Sequence, residues 1–382
     1  MNGVGHRPPR RILMVAGEAS GDALGARLAA ALRRADPSVK LYGVGGAAMR
    51  EAGVEILLDS ADLSVMGFSE LGRELGRVLG ALRMLRRELR EGRPDLFVPV
   101  DFPDFNLPLC RSARKVGVPV FYYVSPQVWA WRRGRIDTIA RNVTRMLVLF
   151  PFEAEIYRSH GIDAHFVGHP LAGDVVATRP REDVRRELGV AADQRLLALL
   201  PGSRRREVEA MLPPMLEAAA SLGPGVVPVV AEAPSLAADL VPGLLARANA
   251  ATVARRRGDT YNLLAAADAA LVTSGTATLE GALVGCPLVV AYRMSAFSYA
   301  LARRMVKVPF IAMPNLLLGR RVVPELVQHE ADAAHLAAEA GRLLSDGDAR
   351  ERMLSDFGEI RRLLARPGAA DRAAALALEL VP

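Results

Sequence analysis

Two cysteines, Cys110 and Cys286, are all that 382 residues provide. That is too few for a disulfide framework, and their spacing matches no metal-ligand pattern, so both read as small buried hydrophobes of a protein in a reducing, cytoplasmic compartment. Long apolar runs are missing as well. No stretch reaches the roughly 18 uninterrupted apolar residues of a membrane span. The first eleven residues carry Arg7, Arg10 and Arg11 but lead into only five apolar residues before Gly17 and Glu18, too short for a signal-peptide core. Residues 1–11 are therefore expected to be a disordered extension. There is no His/Cys cluster with obvious metal geometry and no GxGxxG fingerprint, which weakens metal and hydride chemistry. Aromatics are sparse at 5%, and both tryptophans, Trp129 and Trp131, fall in one loop.

Hydrophobic residues make up 51% against 24% charged, far from the composition of a disordered chain. The length, about twice that of a typical ~100–200-residue domain, predicts two lobes. The net charge of +7, carried mainly by arginine, favours phosphorylated ligands, anionic lipid or nucleic acid without choosing among them.

Short β-rich runs alternate with helical stretches at 12–16, 96–100, 120–124, 146–150 and 165–167. They resume at 196–200, 226–231, 252–254, 269–272 and 288–291. This alternation predicts two parallel sheets covered by helices, an α/β fold of two Rossmann-like lobes at 12–174 and 175–345, with C-terminal helices over 346–382. The polar clusters follow strands, where open α/β sheets bind ligands, so two such rims facing each other would form a cleft.

Each cluster has its own chemistry. In GEASGD, 17–22, Ser20 and Asp22 open a helix and serve either as caps or as cleft-lining groups. In VDFPDFN, 100–106, Asp101 and Asp104 sit beside an apolar wall, a setting for a general base. In LLPGSR, 199–204, a small-residue turn and Arg204 suit a diphosphate. In SGTATLE, 274–280, Ser274 and Thr276 offer hydroxyls at a helix start, and Glu280 is placed to accept hydrogen bonds from a ribose. The run Gly43-Val44-Gly45-Gly46 reads as a turn.

These motifs, together with SPQVWAW at 125–131, GHPL at 168–171 and PNLLLGRRVVPELVQ at 314–328, closely resemble those of lipid-A-disaccharide synthases in order and spacing. The resemblance implies a glycosyltransferase-B architecture and a metal-independent, cofactor-free inverting transfer. The donor would be UDP-2,3-diacylglucosamine, the acceptor 2,3-diacylglucosamine 1-phosphate, and the product a β-1,6 disaccharide 1-phosphate plus UDP. It places the general base on Asp101 and UDP contacts on Arg204, Glu280 and Asn315, with Ser20 and Asp22 lining the first lobe. A UDP-sugar epimerase of similar build is the rival enzyme. A nucleic-acid binder is disfavoured by the ordered strand-end motifs.

One further expectation concerns lipid. Phe68, Leu71, Leu75, Val78, Leu79, Leu82, Leu85 and Leu89 recur at helical spacing among arginines. A basic amphipathic helix of this kind can lie on an anionic membrane. Met66, Phe68, Leu71 and Leu75 are the expected contact patch of a protein held peripherally on the inner membrane, with core packing as the alternative.

Overall fold

The computed structural model describes residues 9–61, 71–126, 134–295, 299, 303 and 308–381. The chain forms two compact units, Met1–Pro170 with Arg366–Pro382, and Leu171–Ala365. The C-terminal helices are thus shared: Ala333–Ser345 and Gly347–Leu364 stay with the second unit, and Ala369–Leu378 joins the first.

The first unit is built on β1 (Arg11–Ala16), β2 (Lys40–Gly45), β3 (Glu55–Asp59), β4 (Leu96–Val100), β5 (Phe121–Tyr123), β6 (Arg145–Val148) and β7 (Asp163–Phe166). They form a seven-stranded sheet of order β3-β2-β1-β4-β5-β6-β7, parallel at every pairing. Helices cover both faces, which is why the central strands read as continuous apolar runs. Side chains alternate between two cores: Ile12, Met14 and Ala16 enter one, Leu13 and Val15 the other. The first core is completed by Leu28 and Leu32 of helix Ala19–Ala35 and by Ala373, Ala374 and Ala377 of the last helix.

Pro99 interrupts the ladder between β4 and β5. The Phe97 N–H reaches the Pro119 carbonyl and the Asp101 N–H reaches that of Tyr123, but the bond between them has no donor, because proline lacks an N–H.

The second unit holds β8 (Arg195–Leu200), β9 (Val226–Glu232), β10 (Ala254–Arg257), β11 (Ala269–Thr273), β12 (Leu288–Tyr292) and β13 (Glu325–Val327). Their order is β10-β9-β8-β11-β12-β13, again parallel throughout. At the amino end of β11 the buried Asp268 accepts the Leu196 N–H at 2.7 Å, Arg181 at 2.6 Å and Arg185 at 2.9 Å, tying helix Arg181–Glu187 beneath the sheet. Burial alone would raise the Asp268 pKa; the Leu196 N–H and the two guanidinium groups outweigh it and hold the carboxyl below its usual range.

Both cysteines are buried. Of the glycine run expected as a turn, Gly43, Val44 and Gly45 instead end β2, and Gly46 leads into helix Ala47–Glu51. Gly43 has φ +145°, and a Cβ there would lie 1.9 Å from the Met14 carbonyl oxygen, so glycine permits the close approach of β2 to β1. Helix Leu71–Arg87 forms as its spacing predicts, and from Ala81 onward its apolar face is core: Leu85 is fully buried, as is Leu89 in the π-helical turn Glu88–Gly92 that follows. Met66 and Phe68 lie outside the described residues, and of Leu71 and Leu75 only the backbone is described. Among the described residues no helix is long and apolar enough to cross a membrane.

Candidate functional site

In each sheet the strand order reverses once, between β1 and β4 in the first unit and between β8 and β11 in the second. Loops diverge there to opposite faces and leave a crevice at the strand carboxyl ends. Ala16 pairs with Val100, so the loops beginning at Gly17 and Asp101 start side by side. Leu200 pairs with Val272, so the turn at 201–204 and the segment from Ser274 are likewise neighbours.

At the first switch point Asp101 is half-buried and Asp104 exposed. The backbone turns sharply: Asp101 has φ 48° and Phe102 φ 49°, two consecutive non-glycine residues in the left-handed region. The Asp101 carbonyl accepts from Asn106 Nδ2 and from the Tyr122 hydroxyl, each at 2.8 Å. Burial pushes the Asp101 carboxyl above its usual range, against a hydrogen bond from the Phe102 N–H, and the negative charge of Glu18 adds to the rise. Asp104 pairs with Arg135. Asn106, fully buried beneath the turn, braces the loop through its bond to the Asp101 carbonyl.

Gly17 is buried against Phe102; a Cβ at Gly17 would come within 2.2 Å of that ring. Ser20 is exposed in the first turn of helix Ala19–Ala35. Asp22 is not an open cleft group. It is buried, and its carboxylate accepts the N–H groups of Gly46 (2.6 Å), Ala48 (3.0 Å) and Met49 (3.1 Å), capping the short helix Ala47–Glu51. Trp129 and Trp131 lie outside the described residues.

At the second switch point a pocket of about 690 Å3 opens, lined by Gly202, Ser203, Tyr261, Ser274, Thr276 and Glu280 among others. Helix Thr276–Val284 starts at Gly275, which supplies no side-chain cap, so its first turn presents N–H groups to this space. The Ser274 hydroxyl donates to the Ile311 carbonyl at 3.0 Å, and Thr276 is exposed. Glu280 accepts from the Tyr261 hydroxyl at 3.3 Å; burial raises its pKa, partly offset by that bond.

Arg204 is 80% exposed and bonds Glu207 at 2.9 Å. Glu207 also takes the N–H groups of Ser203 and Arg204, so the turn expected to cradle an anion has these two donors engaged within the protein. Asn315 lies elsewhere in character. It is completely buried, donates to the Val323 carbonyl and to Glu325, and accepts from the Val322 and Val323 N–H groups, at 2.7–3.0 Å. An amide so engaged has its hydrogen-bonding capacity used by the fold. Glu325, which the sequence reading missed, also receives the N–H groups of Ile311 and Ala312 at the start of helix Met313–Leu318. Tyr261 and Tyr122 were missed too, since a tyrosine carries no local mark of where its hydroxyl ends up, whether it stands in an apolar run, as Tyr122 does, or among polar residues, as Tyr261 does.

Residues 12–379 match the family model described as lipid-A-disaccharide synthetase. The chain is 45% identical over 373 residues to the lipid-A-disaccharide synthase of Syntrophus aciditrophicus, covering 97% of each chain. It is 45% identical over 377 residues to that of Myxococcus xanthus, covering 98% of each. Among solved structures it resembles a putative UDP-N-acetylglucosamine 2-epimerase from Listeria monocytogenes (14% identical, TM-score 0.63, 97% of this chain and 95% of that one). It also resembles Acinetobacter baumannii MurG (15% identical, TM-score 0.58, 97% and 100%). At such identities these structures share the fold, two parallel-sheet α/β domains of glycosyltransferase-B type, and nothing finer. The near-full-length identity to the synthases decides between the two enzyme readings that this fold serves: the chain belongs to the lipid-A-disaccharide synthase family.

Proposed function

We propose that this glycosyltransferase joins the sugar of UDP-2,3-diacylglucosamine to the primary hydroxyl of 2,3-diacylglucosamine 1-phosphate, releasing UDP and forming the β-1,6 disaccharide of lipid A. The observation that carries the reading is the fall of the family's motifs on the two switch points, a half-buried carboxylate at one and a polar pocket at the other. In this reading Asp101 is the general base. It takes the proton of the acceptor hydroxyl as the oxygen attacks the anomeric carbon from the face opposite UDP, with inversion. A carboxylate whose pKa is raised by burial binds that proton more strongly than an exposed one would.

The second unit holds the nucleotide. Glu280 accepts from the ribose hydroxyls, and the first turn of helix Thr276–Val284 faces the diphosphate as negative charge builds on the leaving group. Arg204 adds its guanidinium by exchanging Glu207 for phosphate. Ser20 lines the first switch point, while Asp22 and Asn315 contribute by holding their own loops in shape. Peripheral attachment to an anionic membrane surface through the basic helix Leu71–Arg87 brings the enzyme to its acylated substrates. Incubating the protein with both precursors and searching for the disaccharide 1-phosphate by mass spectrometry tests the reading; UDP release that is indifferent to the acylated acceptor would overturn it.

A further inference from the structure

The turn that carries Asp101 is held from several sides. A left-handed backbone at one non-glycine residue is uncommon, and two in succession persist only where the surroundings over-determine them. Here the Asp101 N–H donates to the Tyr123 carbonyl at 2.9 Å, and the Phe102 carbonyl accepts the Asn106 N–H at 3.0 Å. The Asp101 carbonyl takes two side-chain donors, Asn106 Nδ2 and the Tyr122 hydroxyl. The Phe102 ring is trapped between Gly17 and Phe105, whose ring it meets at 5.5 Å between centroids. The missing Pro99 N–H leaves the end of β4 with one ladder bond fewer, so side chains take over the work of fixing it.

Asn106 is informative because it is poorly satisfied. It is fully buried, yet its Oδ1 has no partner among the described residues. An aliphatic residue would avoid the cost of burying that oxygen. What the amide supplies is its Nδ2, 2.8 Å from the Asp101 carbonyl and 3.4–3.5 Å from the carbonyls of Val15 and Val100, the strand ends that flank the switch point. Tyr122 is equally deep, with its ring in the core and its hydroxyl ending on the same Asp101 carbonyl. We infer that Asn106 and Tyr122 are positioning residues for the transfer reaction, which clamp the Asp101–Phe102 peptide and thereby aim the Asp101 carboxylate.

The inference rests on the reading of Asp101 as the base. Loosening the clamp lets the carboxylate swing toward water, which lowers its pKa and misplaces it. A base displaced by about 1 Å costs on the order of 100-fold in rate. The test uses the full chain and both acylated substrates, with kcat, both KM values, the pH–rate profile and the melting temperature measured for Tyr122→Phe, Asn106→Ala and Asp101→Asn. Tyr122→Phe keeps the ring and removes one of two donors, so kcat is expected to fall roughly 10-fold with both KM values near wild type. The acid limb should move to lower pH. Asn106→Ala should go further in the same direction, by roughly 100-fold. A folded Tyr122→Phe enzyme with wild-type kcat and an unmoved acid limb overturns the inference even if it melts lower, because that is the signature of a purely structural hydroxyl. The Asp101→Asn arm separates the two claims. If that variant is inactive while Tyr122→Phe is unimpaired, the clamp alone is wrong; if Asp101→Asn turns over normally, the base assignment falls and takes the clamp with it.

Discussion

The two switch points share a topology and differ in how their backbone is made to turn. At the second, glycines do the turning: Gly202 at φ +119° makes room for the Glu207 side chain, which lies 2.7 Å from where a Cβ would stand, and Gly275 at the helix start borders open space. At the first, two ordinary residues are forced into the same left-handed region, roofed by an aromatic ring and pinned by buried donors. In the proposed reading, the loop that accepts the nucleotide is the more permissive of the two, and the loop that aims one carboxylate is strained and over-determined, at a typical cost of about 1–3 kcal/mol per unfavourable residue.

The largest effect expected from this contrast is at Asp101. Asp101→Asn should lower turnover by about 10²–10⁴-fold and leave UDP affinity unchanged; calorimetric titration showing an equal loss of UDP binding would break the division of labour between the units. The same variant sharpens the contrast through stability. With its pKa raised in the folded state, Asp101 binds its proton more tightly folded than unfolded, so stability is fully present below the unfolded pKa and is lost as pH rises through the folded one. Asparagine cannot ionise. Asp101→Asn should therefore melt above wild type at neutral pH, and the gain should vanish in acid.

Next comes Asn315. Asn315→Ala leaves the Val322 and Val323 N–H groups and the Val323 carbonyl without their side-chain partner in the interior, at about 1–3 kcal/mol for each buried group left unsatisfied. The melting temperature of the second unit should drop sharply. A variant that melts normally but no longer binds UDP would return Asn315 to the nucleotide site. Arg204→Ala is a smaller change, because the side chain is exposed and must first leave Glu207. A weakening of UDP binding by roughly 10-fold is expected, toward the lower end of the ~1.5–3 kcal/mol of a charge-assisted hydrogen bond. Smallest is Glu280→Gln, which keeps one acceptor oxygen and should weaken UDP by about 3–10-fold while leaving pyrophosphate binding unchanged. Equal losses for both ligands would move Glu280 from the ribose to the phosphates.

The strands that the sequence reveals are those buried on both faces, such as β4 and β8, where an unbroken apolar run between polar turns has one reading. Those it hides have identifiable reasons. In β2 the glycines needed for close packing mimic a turn, β3 has no fully buried residue, and β13 spans only three residues. The site divides the same way. Asp101 is visible because a carboxylate directly after an apolar run must stand at a strand end. Its left-handed backbone is invisible, since nothing in the letters Asp-Phe announces it. Asp22 and Asn315 carry the opposite lesson: a polar residue inside a motif looks the same whether it meets a substrate or caps a buried helix, and only the hydrogen-bond partners tell the two apart.

The last helix of the chain, Ala369–Leu378, lies against helix Ala19–Ala35 in the core of the first unit. During synthesis this means that the half of the protein made first is completed last. While 171–365 is one continuous stretch of chain, the first unit is assembled from two, and Leu28, Ala29 and Leu32 share their core with Ala373 and Ala377, which are synthesised long after them. Cutting the chain near residue 365 is therefore expected to lower the stability of the opposite, amino-terminal unit.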